Sequence, residues 1–242
     1  MKLVLLADGD VGLGIANYLL AGYLQDLVLV VTTEKNDIYR AAESKGVPVQ
    51  VFESMQQVME GLQDGCDLGV LAWWPKIVKS PLLDLPTRGF VNTHPSLLPY
   101  NRGKHYNFWA LVEQAPFGVT LHKVDASVDT GAIIAQQPIP YDWCDNGGTL
   151  YFKAQAAMLD LFQRTYPVLR MGSFESTPQD LGSGSFHHSS EIEKASQIDL
   201  DRTYSARDLL NLLRARTFEG YPGCWFEDAG VRYEISINVR KI

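Results

Sequence analysis

An amide, an imidazole and a carboxylate stand apart from the rest of this chain in type and spacing. Asn92-x-His94 follows the short apolar start Phe90-Val91 in FVNTHPSLLPYNRG, and Asp129 lies in KVDASVDTG. Strand side chains alternate, so Asn92 and His94 share one face where a buried strand surfaces. Pro95, Pro99 and the Asn101-Arg102-Gly103 cluster stop that strand and leave a shaped loop. An Asn amide can donate to a developing oxyanion, a His can donate to it or move a proton, and an Asp can orient the His or accept a proton through water. No Ser, Cys or Lys nucleophile is needed, which suits direct transfer of an acyl group to an amine. Taken singly, each residue also fits a plain role: Asn92 and Asp129 as turn residues, His94 as a hydrogen-bonded strand end.

The elements around them must bring the three together. Gly118-Val-Thr-Leu-His-Lys-Val124 reads as a strand, the Asp125 to Gly131 stretch as a loop, and Ala132 to Ile139 as the return. If the strands holding His94 and Val124 are neighbours, Asp129 reaches His94. Upstream, Leu3-Val-Leu-Leu6 is a buried strand, Ala7 to Gly14 a glycine turn and Ile15 to Tyr23 a helix, the opening of a doubly wound, mostly parallel α/β fold. The turn is GxxGxG and not GxGxxG, and no acidic residue ends the second strand at Leu27 to Val31, so a nicotinamide dinucleotide site is disfavoured.

The strings NTHPSLLPYNRG and GVTLHKVDASVDTG together resemble the folate-dependent formyltransferase family, whose signature pairs an Asn-x-His-x-Ser-Leu-Leu-Pro loop with a later Asp-Thr-Gly. The likeness covers roughly the first 170 residues. It implies a Rossmann-like catalytic domain, Asn92, His94 and Asp129 as the catalytic triad, and 10-formyltetrahydrofolate as formyl donor without a metal. It also implies pterin contacts around Ile77-Val78 with Asp125 on the donor side, Lys76 near donor or acceptor, and Gly9-Asp10 near the acceptor. Ser127 stands where the family usually has Gly, and His105-Tyr106 departs from a Pro-containing helix start, which bears on the choice of acceptor.

Length and charge bound the alternatives. The 242 residues are 46% hydrophobic, enough for one sizeable core. A net charge of −7 offers no electrostatic footprint for nucleic acid. Three Cys build no disulfide framework or zinc pattern, which fits a cytoplasmic compartment. Met1-Lys2 and the short run after it do not make a signal peptide, and no run approaches a membrane span.

In chain order, Thr33 to Gly46 and Ser54 to Leu62 read as helices, Val47 to Phe52 and Asp67 to Trp74 as strands. Of Trp73 and Trp74, either one packs in the core and the other lines a strand-end pocket, or both lie in the core. Tyr106 to Gln114 reads as a helix. Arg102 and Lys104 are candidates for a phosphate or for the donor's glutamate tail, or a solvated loop. Thr149 is the expected cap of a long helix whose stripe is Leu150, Ala154, Ala157, Leu161 and Val168. Residues 172–190 read as a flexible connector with His187-His188 as a surface pair, dividing a catalytic domain at 1–180 from a small unit at 191–242.

That unit is expected to be one helix, Ala206 to Arg216, with Ser205 as cap and Leu209, Leu210, Leu212 and Leu213 inward, followed by a β-hairpin. It resembles the short C-terminal unit of bacterial nucleotide-sugar N-formyltransferases. Arg214, Arg216 and Tyr221, with Phe218, suit a pyrophosphate and a stacked base; the same mixture suits a homodimer interface. The resemblance thus implies formyl transfer to a dTDP-linked aminodideoxysugar, dTDP-4-amino-4,6-dideoxyglucose or a 3-amino isomer, in surface polysaccharide synthesis. Phosphoribosylglycinamide formyltransferase, methionyl-tRNA formyltransferase and a non-catalytic folate or nucleotide module are the alternatives.

Overall fold

The apolar run Leu3–Ala7 forms β1 with every residue buried, and later strands are added on both sides of it. In the computed structural model, which describes residues 1–242, β1 is followed by α1 (Gly9–Gly22), β2 (Leu27–Thr32), α2 (Asp37–Ser44), β3 (Val49–Val51), α3 (Met55–Glu60), β4 (Leu68–Ala72) and β5 (Phe90–His94). Then come β6 (Arg102–Gly103), α4 (Tyr106–Val112), β7 (Gly118–Lys123), β8 (Ile133–Pro138) and α5 (Gly147–Met171). The chain finishes through β9 (Phe186–His187), α6 (Glu191–Ala195), α7 (Ala206–Arg216), β10 (Cys224–Asp228) and β11 (Val231–Ile235). No helix is long and apolar enough to cross a membrane.

Seven strands form one sheet in the order β3-β2-β1-β4-β5-β7-β8. Pairing is parallel from β3 through β5 and turns antiparallel where β5 meets β7. The expected doubly wound, mostly parallel sheet is present, with its order reversing between β1 and β4. Open α/β sheets bind ligands outside the carboxyl ends of the strands at such a reversal. By internal contacts the chain forms two units: residues 1–94, 120–136 and 158–179, and residues 95–119, 137–157 and 180–242.

In the first unit, the glycines after β1 lie within a helix and not in a loop before Ile15. A Cβ on Gly12 would lie 3.1 Å from the Ala72 carbonyl oxygen, and one on Gly14 would lie 3.1 Å from Leu159 Cδ2. These glycines let α1 lie close to the sheet and α5, so their spacing records packing. Asn36 caps α2 by accepting from the Tyr39 amide at 3.1 Å, which starts that helix later than Thr33. Trp74 joins the core, 9% exposed, with its ring edge-on to Phe52.

The buried face of α5 drifts around the helix after Ala157. Met158, Phe162, Tyr166 and Leu169 continue the core, whereas Val168 is 38% exposed. Near its end, Asp26, 1% exposed, accepts from the Tyr166 hydroxyl at 3.1 Å and from Arg170 Nε at 2.6 Å. One carboxylate thereby ties the segment before β2 to the last turns of α5.

The second unit corrects more of the expectations. Residues 172–190 include β9, which pairs in parallel with β6, and His187 stacks on Trp109 with ring centroids 3.7 Å apart. Its ring nitrogens face Glu113 at 2.7 Å and Glu191 at 3.3 Å. His187 is therefore a packed, bridged group and not part of a surface pair. Asn146, not Thr149, precedes α5 as the cap: Asn146 Oδ1 accepts from the Thr149 amide, and Thr149 Oγ1 accepts from the Asn146 amide, both at 2.9 Å. Ser205 caps α7 as expected, at 3.1 Å from the Asp208 amide. The inward face of α7 is Asn211, Leu213, Arg214 and Ala215, and Leu210 is exposed. Ala229 and Gly230 both have positive φ, the backbone a two-residue hairpin turn requires.

Replacing Asp26 by Ala leaves the buried Tyr166 hydroxyl without its acceptor, a loss of about 1–3 kcal/mol. The half-exposed Arg170 partner adds little beyond that. Denaturant unfolding of Asp26→Ala against wild type measures it.

Candidate active site

The site grows from the switch between parallel and antiparallel pairing. On β5, Asn92 and His94 face one way, and the antiparallel register sets His122 of β7 directly opposite Asn92. Thr93, on the other face, is buried; its hydroxyl donates to the Leu71 carbonyl at 3.1 Å and accepts from the Trp73 amide at 3.0 Å. The middle residue of Asn-Thr-His thus staples β5 to the end of β4. Trp73 itself sits at φ 50, a left-handed conformation that a bulky residue adopts only when its surroundings enforce it.

Asp129 enters from the loop after β7, also left-handed at φ 54. The loop is held from inside and outside. Asp125 Oδ1 accepts from the Ser127 amide at 3.1 Å and the Thr130 hydroxyl at 2.7 Å. Gln179 Nε2 donates to the carbonyls of Asp129 at 3.0 Å and Gly131 at 2.7 Å. Gly131 has no substitute here, because a Cβ would come within 1.8 Å of the Lys123 carbonyl oxygen.

These elements bring the three expected residues together. Asp129 Oδ2 lies 3.4 Å from His94 Nδ1, and Asp129 Oδ1 lies 3.4 Å from Asn92 Nδ2. The carboxylate faces the imidazole and is 13% exposed. His122 is the member that sequence reasoning missed. Its Nε2 lies 3.2 Å from Asn92 Nδ2 and 3.7 Å from Asp129 Oδ1. Burial pushes its pKa down to about 4, the neighbouring His94 pushes the same way, and Asp129 opposes both. At neutral pH the ring is uncharged. The only available signal was its place on β7, where a lone His in an apolar run resembles any core residue.

The tautomer follows from the partners. His122 Nδ1 lies 2.8 Å from the Lys123 carbonyl oxygen, which can only accept, so Nδ1 carries the proton and Nε2 the lone pair. Donor atoms of His94, His122 and Asp129 lie within 4.8 Å of one another, near enough for a divalent ion. The Asn92 amide nitrogen already occupies the space before the His122 lone pair and Asp129 Oδ1, so a cation would have to displace it. The set reads instead as a hydrogen-bond donor, an imidazole and a carboxylate around a reacting carbonyl.

Other expected contacts sort by unit. In the first, Gly9 and Asp10 are exposed at the start of α1, Lys76 Nζ lies 5.3 Å from the centre of the Phe52 ring, and Ile77 is 64% exposed. Val78 is buried in the core, and Asp125 serves its own loop. In the second, Arg102 lies on β6. Arg214 is corrected: it is buried, and its guanidinium donates to Asn211 Oδ1 and to the carbonyls of Asp142 and Asp145, which leaves no fork for a substrate. Arg216 is half-buried with no carboxylate in ion-pair range, and Tyr221, 61% exposed, packs its ring 4.6 Å from Phe218.

A histidine that stays neutral in the folded chain costs stability once the unfolded chain protonates. For His122 that loss begins as pH falls below the ordinary 6.5 and grows until about 4. His122→Gln is expected to flatten the acid limb of the stability profile over that window, read by urea unfolding at stepped pH.

Comparison with known proteins agrees with the geometry. The family described as "Formyl transferase" matches residues 1–165, and "N-formyltransferase dimerization C-terminal domain" matches residues 191–241. A dTDP-4-amino-4,6-dideoxyglucose formyltransferase of Mycobacterium tuberculosis is 30% identical over 142 residues, 59% of this chain and 60% of that protein. A 4-N formyltransferase from Francisella tularensis superposes with a TM-score of 0.85 at 22% identity, covering 100% of this chain and 99% of the other. An N-formyltransferase from Helicobacter canadensis in complex with folinic acid and dTDP-3-aminofucose gives a TM-score of 0.78 at 18% identity, covering 95% and 85%. With residues 1–165 matched, more than half of its length, the chain belongs to the formyl transferase family.

Proposed function

We propose that this protein is an N-formyltransferase that moves a formyl group from 10-formyltetrahydrofolate to the amine of a nucleotide-linked aminodideoxysugar. The observation that carries this reading is the convergence of Asn92, His94 and Asp129, with the Asp129 carboxylate 3.4 Å from both the Asn92 amide and the His94 ring. The M. tuberculosis relative and the Helicobacter complex, both named for dTDP-linked sugars, support the acceptor class. The folinic acid in that complex supports the donor.

The unprotonated amine attacks the formyl carbon, and the carbonyl oxygen becomes an oxyanion. Asn92 donates to that oxygen, and His94, when protonated, donates to Asp129 through Nδ1 and to the oxyanion through Nε2. Asp129 takes the proton that the amine sheds, directly or through a water. Collapse reforms the carbonyl, breaks the bond to the folate nitrogen and returns a proton to it. Exposed Gly9, Asp10 and Lys76 are proposed acceptor contacts, the backbone around Ile77 and Val78 a pterin contact, and Arg102, Arg216 and Tyr221 contacts for the charged and aromatic parts of the substrates.

Residues 191–241, matched to a dimerization domain, are proposed to pair two copies. The half-exposed Val231 and Tyr233 of β11 supply apolar surface for that contact. Unpaired Cys66, Cys144 and Cys224 suit a reducing cytoplasm.

A panel of dTDP- and GDP-linked aminosugars incubated with the folate donor, scored by the mass of the formamide, tests the assignment. Asn92→Ala, His94→Ala and Asp129→Asn are each expected to lower kcat by about a hundredfold or more with the fold intact by circular dichroism. An Asp129→Asn variant turning over near the wild-type rate removes the triad. Arg216→Ala is expected to raise KM for the nucleotide sugar about tenfold and leave KM for the folate unchanged.

A further inference from the structure

We infer that His122 is a positioning residue: by taking one hydrogen of the Asn92 amide it leaves the other for the oxyanion and keeps Asp129 from claiming both. The inference rests on the formyl-transfer reading above and assigns a role outside the Asn-His-Asp set.

Lys123 O accepts from His122 Nδ1 at 2.8 Å, which places the ring's lone pair on Nε2. That lone pair can bind only a donor, so Asn92, 3.2 Å away, must present Nδ2 and not Oδ1. An amide nitrogen has two hydrogens in one plane, and two acceptors compete for them: His122 Nε2 at 3.2 Å and Asp129 Oδ1 at 3.4 Å. The contact to Asp129 is long, near the limit of a hydrogen bond. It is the one that gives way when an oxyanion arrives.

Without His122 the balance changes. Asp129, charged and close, draws the amide to itself through charge-assisted bonding, and the donor turns from the reacting carbonyl. Burial supports the assignment by holding His122 neutral, since a protonated ring would have no lone pair for Asn92. A neutral, buried ring also has no proton to exchange near neutral pH, which separates this role from acid-base catalysis.

Five measurements decide the matter. Nitrogen-15 NMR of histidine-labelled protein, with no substrate present, is expected to show His122 as the neutral Nδ1–H tautomer at pH 7; an Nε2–H tautomer or an imidazolium overturns the proposal whatever the enzyme's activity. His122→Phe, which keeps a flat ring and removes the acceptor, is expected to lower kcat about tenfold to a hundredfold with little change in either KM. His122→Gln, whose Oε1 can accept from Asn92, is expected to recover most of that loss, and it stands in if the Phe variant does not fold. Adding Asn92→Ala to His122→Phe is expected to cost less than Asn92→Ala costs in wild type, because His122 acts through that amide, whereas in His122→Gln it is expected to cost about as much as in wild type.

The pH profile of kcat is expected to keep its limbs in His122→Gln; a limb that disappears makes His122 a proton carrier and overturns the proposal. Full additivity of His122→Phe with Asn92→Ala overturns it as well. If wild type transfers no formyl group to any acceptor, the functional reading fails, and the NMR result still judges the geometry alone.

Discussion

One amide nitrogen, that of Asn92, sits between an imidazole lone pair and a carboxylate, and the arrangement around the cleft exists to keep it there. The two acceptors lie 3.7 Å apart, His122 Nε2 and Asp129 Oδ1, too close to coexist comfortably without a donor between them. A primary amide is the side-chain group that bridges two acceptors and carries no charge of its own. Lysine would neutralise Asp129, and serine has a single hydrogen. The requirement for asparagine thus comes from its neighbours as much as from the oxygen it is proposed to meet.

That bridge depends on sheet topology. Parallel strands carry β5 to the edge of the doubly wound core, and only an antiparallel partner sets a residue of β7 straight across from Asn92. Thr93 fixes the other face of β5 to β4, so the strand cannot rotate its amide away. Asp129 completes the set at the cost of a left-handed backbone, held by Gln179 from a part of the chain 50 residues away. Left-handed Trp73, stapled through Thr93, marks the same edge of the sheet. Two enforced conformations beside one strand are what a preorganised site looks like in backbone terms.

The fold and the three central residues were legible because their signals are local. Buried runs alternate with helical stretches, and Asn-x-His before a Pro-bounded loop admits few readings. His122 was not legible, because its meaning lies in the residue across the ladder and not in its neighbours along the chain. The glycines after β1 read as a turn before the helix for a related reason: a turn and close helix packing both favour missing side chains, and only the contacts with Ala72 and Leu159 tell them apart. Arg214 stands two residues before Arg216 in a cationic stretch, but helical periodicity sends the first to the carbonyls of Asp142 and Asp145 and leaves the second half-buried. Residues 172–190 lack apolar periodicity, since what orders them is a stacked His187, two carboxylates and a short ladder.

The close approach of Gly131 to Lys123 has a bearing on what this loop can tolerate. The carbonyl that sets the His122 tautomer also lies where a Gly131 Cβ would have to go, so the two ends of the span from Val124 to Thr130 close on each other beside a single oxygen atom. Of the side chains along that span, Asp125, Asp129 and Thr130 are held by hydrogen bonds or by the site, and Ser127 lends the loop only its amide. The length of the span is not free: one inserted residue adds roughly 3.5 Å of chain, as much as the whole distance from Asp129 to His94. Natural variation here should therefore run through substitution and leave insertions to other parts of the surface.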